Sequence, residues 1–71
     1  MKAYVIKRDD GKYWLGGFYG RNNVGVLSKA HIYQTKSMAN SIAKKITDLY
    51  NIKMEVVLVE INEYNEERNM D

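Results

Sequence analysis

The chain has 71 residues, 45% of them hydrophobic and 28% charged, and it contains no Cys. A chain this short predicts one small domain with a thin core that neither disulfides nor thiolate metal sites supplement, which excludes a disulfide-rich secreted scaffold. Its apolar runs are too short for a signal peptide or a membrane span, so we expect a cytoplasmic protein without membrane contact.

The formal net charge of +2 is unevenly distributed along the chain. Residues 1–54 carry ten Lys and Arg against three Asp, a net charge of +7, whereas residues 55–71 carry six acidic residues against one Arg, a net charge of −5. This division indicates a basic face that meets an anionic partner, or an acidic tail that shields that face. A solvated surface with an acidic end explains it equally well.

The first two predicted strands, residues 2–8 and 12–17, form a hairpin around Gly11. Both are rich in β-branched or aromatic residues. A three-residue loop with Gly11 at positive φ places Trp14 opposite Ile6, whereas a two-residue loop moves Trp14 to the other face. We favour the three-residue loop, whose opposed pairs are Arg8 and Lys12, Ile6 and Trp14, and Tyr4 and Gly16. Since opposed residues share a face, one face carries Tyr4, Ile6, Trp14 and Phe18, and the other carries Val5, Tyr13 and Leu15.

Residues 16–29 are predicted to form an irregular arm. Three glycines permit sharp bends there, and Arg21-Asn22-Asn23 is a turn signal. A short third strand is expected over residues 30–34.

Residues 37–50 show the clearest helical pattern. Thr35 or Ser37 can cap the start of the helix, and Asn51 is a natural left-handed stop. The predicted buried stripe consists of Met38, Ile42, Ile46 and Leu49, flanked by Ala39, Ala43 and Tyr50.

The last predicted strand, residues 53–62, is apolar on both faces. One helix covers only one side of a sheet, so the arm or a partner subunit must cover the second side, or that side stays exposed for binding. With a right-handed crossover, the order β-β-β-α-β predicts a two-layer α+β fold, one helix packed on a four-stranded mixed sheet of order 3-2-1-4, with the last strand parallel to the first. We expect residues 1–62 to form a single domain and residues 63–71 a mobile acidic tail.

The strand YVIK, the segment YWLGG, the stretch AHIYQTK before the helix and the strand EVVLVEI together resemble short uncharacterised proteins of phages and prophages of Gram-positive bacteria. The likeness extends from Lys2 to about Ile61 and rests on core and turn residues, while residues 18–29 have no counterpart. It implies a small accessory protein used for host takeover or for blocking a defence system, as anti-CRISPR proteins do. It implies no activity and no functional residues.

The sequence offers no arrangement for catalysis, and we expect neither an enzyme nor a bound cofactor or metal ion. His31 is the only His, and no motif pairs it with a Ser nucleophile. Asp9 and Asp10 are neighbours in a turn rather than carboxylates that flank a pocket. The stretch GGFYG lacks the Lys-Ser/Thr of a phosphate-binding loop, and the C-terminal Glu residues match no metal-binding loop.

Binding to another protein is the function that the sequence favours. Aromatic residues and Arg are common at the centres of interfaces, and the arm carries both. We therefore predict that the chain occupies or inhibits a host protein through partner-binding residues in the arm, which are Phe18, Tyr19, Arg21, Asn22, Asn23 and Lys29.

Two alternatives stay open. A sheet that displays aromatic residues beside cations has the groups that single-stranded DNA or RNA requires, and the residues concerned are Lys7, Arg8, Lys12, Tyr33 and Lys36. A domain this small needs the same aromatic residues for its core. The third possibility is a structural or dimerising accessory protein, in which a homodimer covers the second face of the sheet.

Overall fold

The computed structural model describes residues 2–17 and 20–60 of the chain. These residues form four strands, one α-helix and one turn of 3-10 helix. The elements are β1 (Lys2–Arg8), β2 (Tyr13–Trp14), β3 (Val24–Gly25), the 3-10 turn (Leu27–Lys29), α1 (Lys36–Tyr50) and β4 (Met54–Glu60). The predicted acidic tail, residues 63–71, lies outside the described residues.

The four strands form one sheet in the order β3-β2-β1-β4, and every neighbouring pair is antiparallel. The predicted α+β fold, with one helix and a four-stranded sheet, is therefore confirmed. The predicted parallel pairing of β4 with β1, and with it the mixed sheet, was wrong. β1 and β4 instead run antiparallel through seven consecutive pairs, from Lys2 opposite Glu60 to Arg8 opposite Met54.

The error arose from the position of residues 30–34. This stretch was predicted as a strand on the far side of β2, but the third strand of the sheet is Val24–Gly25. The stretch 30–34 contributes only an isolated antiparallel bridge, in which Tyr33 lies beside Tyr4 of β1 in the place predicted for Gly16. β4 runs in the same direction as this stretch, so β4 is antiparallel to β1.

The β1–β2 hairpin has the predicted register. Lys7 lies opposite Tyr13, and the Arg8 N–H donates to the Lys12 carbonyl at 2.7 Å. The Gly11 N–H donates to the Arg8 carbonyl at 2.9 Å, and Gly11 has φ 88°, which a residue with a Cβ adopts only under strain. The three-residue loop is confirmed, although β2 is shorter than predicted because the chain leaves the ladder after Trp14.

Helix α1 begins one residue earlier than predicted and ends where predicted. The Thr35 hydroxyl oxygen accepts a hydrogen bond from the Met38 N–H at 3.2 Å, which satisfies one of the free donors at the start of the helix. At the other end Asn51 adopts the left-handed conformation, with φ 54° and ψ 46°, and its N–H donates to the Thr47 carbonyl at 2.8 Å.

The sheet carries an apolar cluster on each face. The cluster on the helix side consists of Ile6, Trp14, Tyr33, Ala39, Ala43 and Ile46. The smaller cluster on the second face consists of Val5, Ala30 and Val59, with Leu27 and Ile32 packed against it. The arm, through Leu27 at its end, therefore contributes with the residues after it to covering the second face.

The buried stripe of α1 is rotated from its predicted position. Ala39, Ala43 and Ile46 are buried, whereas Met38 is 55% exposed and Leu49 is 62% exposed. Small alanines at the contact let the helix approach the sheet closely. In the described part of the chain, no helix is long and apolar enough to cross a membrane.

Candidate functional site

The loop that joins β2 to β3, residues 15–23, contains the centre of the predicted partner-binding arm. Its described residues are 15–17 and 20–23. Gly16 is buried with φ 92°, and a Cβ at this position would lie 2.9 Å from His31 Nδ1 and 3.2 Å from His31 Cβ. The His31 ring packs edge-on against the ring of Tyr33, with centroids 4.7 Å apart. Gly16 is thus required both by its backbone conformation and by the side chain packed over it.

Hydrogen bonds close the base of the β2–β3 loop. The Leu15 N–H donates to the Asn23 carbonyl at 3.1 Å, and the Asn23 N–H donates to the Gly20 carbonyl at 3.2 Å. The side-chain amide of Asn23 donates to the Gly16 carbonyl across the loop. Asn23 therefore fixes the loop from within.

Arg8, at the end of β1, connects the β2–β3 loop to the hairpin turn. Its Nη1 donates to the Arg21 carbonyl at 2.8 Å and to Asn22 Oδ1 at 3.1 Å. Its Nε donates to Asp10 Oδ1 at 3.0 Å, and its Nη2 donates to Asp10 Oδ2. A guanidinium can make these contacts together because its five N–H groups form a planar fork.

The Arg8–Asp10 pair shifts the protonation of both groups. The hydrogen bond from Arg8, assisted by one from the Lys12 N–H at 3.2 Å, lowers the pKa of Asp10 to about 2. The same hydrogen bond raises the pKa of Arg8 above its ordinary value. The Arg8 side chain is only 13% exposed, while Asp10 remains in contact with water at 40%. Both groups are therefore charged at neutral pH.

Tyr50, the last residue of α1, ties the loop to the helix. Its hydroxyl oxygen accepts a hydrogen bond from the Gly20 N–H at 3.2 Å. Its ring lies 6.2 Å from the Trp14 ring, at an interplanar angle of 42°. The loop thus has separate attachments to β1, to α1 and to the stretch that contains His31.

A shallow polar depression lies beside this loop. Three parts of the chain line it: the hairpin turn, the loop and the residues after α1, represented by Arg8, Asp9, Asp10, Arg21, Asn22, Asn51, Ile52 and Lys53. Arg21 and Lys53 are both exposed. Neither side chain makes a hydrogen bond or ion pair with the residues that the structure describes, so both can contact a partner.

The predicted partner-binding residues have different surroundings. Phe18 and Tyr19 lie outside the described residues. Asn22 and Asn23 use their side chains within the chain, as described above. Arg21 is exposed at the depression, whereas Lys29 is exposed at the end of the 3-10 turn.

The residues predicted for nucleic-acid binding differ in their exposure and contacts. Tyr33 is 6% exposed in the helix-side cluster, where burial raises the pKa of its hydroxyl. Lys7 is half-buried, and Arg8 is engaged with the loop. Lys12 is exposed beside the hairpin turn, and Lys36 is exposed in the first turn of α1.

Sequence reasoning missed the role of Arg8 in holding the loop and the packing of His31 over Gly16. Arg8 is 13 residues from Arg21 and 14 from Asn22. Neither periodicity nor a turn signal reports contacts at that separation. The glycines at positions 16, 17 and 20 predicted sharp bends in this stretch but not where the loop would be attached.

No protein family, curated protein or solved structure matches the chain in comparisons with known proteins. Within residues 2–17 and 20–60, no group of three His, Asp or Glu side chains could hold a metal ion.

Proposed function

We propose that this protein is a small non-catalytic binding protein that docks on another protein through the β2–β3 loop and the polar depression beside it. The observation that carries the proposal is the way the loop is held. Arg8, Asn23 and Tyr50 hold the main chain of its described residues at Arg21, Gly16 and Gly20. The side chains of Arg21 and Lys53 make no hydrogen bond or ion pair within the described residues. Residues that are already held lose little conformational entropy on binding, which favours affinity.

The chemistry of the depression favours an acidic partner surface. Arg21 can bind a carboxylate through two parallel hydrogen bonds, and Lys53 adds a second positive charge. The negative charge of Asp10 is balanced by the positive charge of Arg8. The remaining charged residues of the depression are Arg21 and Lys53 against Asp9, so it presents more positive than negative charge to a partner. Opposite charge at the rim of an interface accelerates association and excludes basic competitors.

The resemblance to phage and prophage proteins makes a host protein the first partner to test. The activity proposed is occupation of a functional surface, as an inhibitor of a host or defence protein would do, in the cytoplasm of the host cell. This mode of action requires neither a catalytic group nor a cofactor. It also suits one small domain that presents a loop beside a polar depression, since binding residues are often carried on loops.

The experiment compares two lysines that are both exposed. Lys53 lines the depression, and Lys44 lies in the middle of α1, outside it. Immobilised wild type, Lys53→Ala, Arg21→Ala and Lys44→Ala are incubated with lysate of a Gram-positive host, and retained proteins are identified by mass spectrometry. We expect one host protein to be retained by wild type and Lys44→Ala and depleted with Arg21→Ala and Lys53→Ala.

Binding of that protein is then measured by calorimetry with the purified partner. We expect Arg21→Ala to raise the dissociation constant by on the order of tenfold or more, as is usual for an Arg at the centre of an interface. Its circular dichroism spectrum should be unchanged. Equal binding by all four proteins would refute the proposed surface. Tight binding of oligonucleotides that weakens steeply with salt would instead support the nucleic-acid alternative.

A further inference from the structure

β4 forms one edge of the sheet and pairs on one side only. Its neighbour is β1, and no other strand of the described chain lies beside it. An open edge presents main-chain donors and acceptors that can pair with another strand. Which groups face the open side can be derived from the contacts of β1.

In an antiparallel strand, alternate residues direct their N–H and C=O to opposite sides. Tyr4 exchanges two hydrogen bonds with Tyr33, at 2.9 and 2.8 Å, and the Arg8 N–H donates to Lys12, so the even residues of β1 bond away from β4. Its odd residues, such as Val5, therefore bond to β4, and Val5 lies opposite Val57. It follows that Val56 and Leu58 direct their main-chain groups toward the open side.

The edge lacks the usual protection. Natural edge strands are kept from pairing by short length, bulges, Pro or uncompensated charge. β4 has seven residues in regular pairing and no Pro, and Leu58 is 51% exposed. Its two carboxylates, Glu55 and Glu60, lie opposite Lys7 and Lys2 of β1. Each carboxylate therefore has a cation at the opposite position of β1, which reduces the net negative charge along the edge.

We propose that β4 pairs antiparallel with β4 of a second copy of this chain. The register that fits places Val57 on the twofold axis, so that Val56 lies opposite the partner's Leu58. Because Val56 and Leu58 have outward main-chain groups, each such pair exchanges two hydrogen bonds. Leu58 then packs against the partner's Val56 on the helix side of the sheet.

Charge favours this register. Glu55 lies opposite the partner's Val59, and Glu60 lies opposite the partner's Met54, so no carboxylate meets another carboxylate across the axis. The interface is isologous, as twofold dimers require, because the same strand serves both copies. A single pair of edge strands is a small interface, so we expect a dissociation constant in the micromolar range.

The dimer goes beyond the proposed function because it gives the protein two binding loops. β3 is the strand farthest from β4, so the joined sheet has eight strands with β3 at both ends. At the usual spacing between strands, the two outer strands lie about 34 Å apart. A partner that is itself a dimer, or that carries two copies of the bound surface, would be held by both loops at once.

The test is the mass in solution, which is independent of any partner of the loop. Light scattering coupled to size exclusion, from micromolar to millimolar concentration, is expected to show a wild-type species of twice the 8.3 kDa chain mass. Leu58→Lys places a charge on the edge at an exposed position and should give the 8.3 kDa monomer with unchanged circular dichroism. The matched control Leu49→Lys, at a comparably exposed leucine of α1, should remain dimeric.

A second variant removes only the main-chain donor. Total synthesis with an N-methyl group on the Leu58 amide keeps the side chain and should weaken dimerisation by on the order of tenfold or more. A wild-type chain that stays at 8.3 kDa throughout would overturn the proposal. A dimer that tolerates the N-methyl group, or that dissociates with Leu49→Lys and survives Leu58→Lys, would overturn it equally.

Discussion

The β1–β4 ladder and the β2–β3 hairpin are both antiparallel pairs, but different forces hold them. β1 and β4 pair over seven residues and bury apolar side chains on both faces. β2 and β3 pair over two residues only, and their loop is held by Arg8, Asn23 and Tyr50. Apolar packing supplies most of the stability of a small domain. Hydrogen bonds add little net free energy of folding, but they fix the positions of the groups that they join. The ladder therefore depends mainly on apolar packing and the loop that carries the candidate site mainly on polar contacts, although Trp14 of β2 and Val24 of β3 also pack in the helix-side cluster.

The largest expected effect is that of Trp14→Ala, which joins the two regions. Trp14 belongs to β2 but is fully buried in the helix-side cluster. Removing a buried aromatic side chain costs about 3–5 kcal/mol, which is comparable with the whole stability of a domain of this size. We expect Trp14→Ala to be unfolded by circular dichroism at 25 °C, whereas Leu49→Ala, exposed on α1, melts like the wild type. A folded Trp14→Ala protein would show that the β1–β4 ladder and α1 suffice without the hairpin.

The next effect separates backbone strain from steric overlap at two glycines, one in the β1–β2 turn and one in the β2–β3 loop. Gly16 and Gly11 both have positive φ, but a Cβ at Gly11 meets no atom within 4 Å, whereas one at Gly16 overlaps His31. Each Ala substitution costs roughly 1–3 kcal/mol for the backbone conformation, and Gly16→Ala should cost more than Gly11→Ala. Chemical denaturation of the two variants measures the difference. Equal losses would mean that His31 moves aside freely.

A smaller effect concerns the end of α1, in the part of the molecule held by apolar packing. Asn51 adopts the left-handed conformation without being Gly. Asn51→Ala should lower the free energy of unfolding by about 1 kcal/mol, since Ala tolerates this conformation poorly, and Asn51→Gly should be neutral or slightly stabilising. Thermal melts of both variants check this, and a stable Asn51→Ala protein would indicate that the helix end rearranges.

The smallest effect is local and concerns Arg8. Arg8→Leu keeps an apolar stem but removes the bonds to Asp10, Arg21 and Asn22. Hydrogen exchange at the Leu15 and Asn23 amides should accelerate on the order of tenfold, with the β1–β4 amides unchanged. Uniform acceleration across the sheet would show that the loop and the ladder open together, which would remove the distinction between the two regions.

The same contact predicts a pH dependence. The pKa of Asp10 is depressed from 3.8 to about 2 in the folded chain by the hydrogen bond from Arg8. A depressed carboxyl pKa stabilises the folded state above pH 3.8, and this contribution is lost as the pH falls toward 2. An NMR titration of the Asp10 carboxyl should give the low pKa in wild type and a value near 3.8 in Arg8→Leu. The same pKa in both proteins would mean that the pair does not form in solution.

The sequence was sufficient to predict elements defined by local rules. The position of Gly11 predicted the hairpin register and hence the shared face of Trp14 and Ile6. Thr35 was one of two predicted caps for the start of the helix, and Asn51 was predicted to end it. Which face of the sheet the helix covers was not predicted. The direction of β4 was predicted wrongly, because it depends on where residues 30–34 pass, and no local pattern specifies that these residues lie beside β1 rather than beyond β2. The loop attachments were missed for the same reason, since Arg8 bonds to residues 13 and 14 positions away in the sequence.

The pairing of β1 with β4 has a consequence for how the chain folds. The partners in this ladder are about fifty positions apart in a chain of 71 residues, so the longest ladder of the sheet joins the first and the last strand among the described residues. Closing so large a loop costs entropy before any contact of the ladder repays it, and proteins dominated by distant pairings fold slowly for their size. During synthesis β1 stays without its main partner until β4 has left the ribosome. The helix and the β1–β2 hairpin, which need only neighbouring residues, can form first and hold β1 until then.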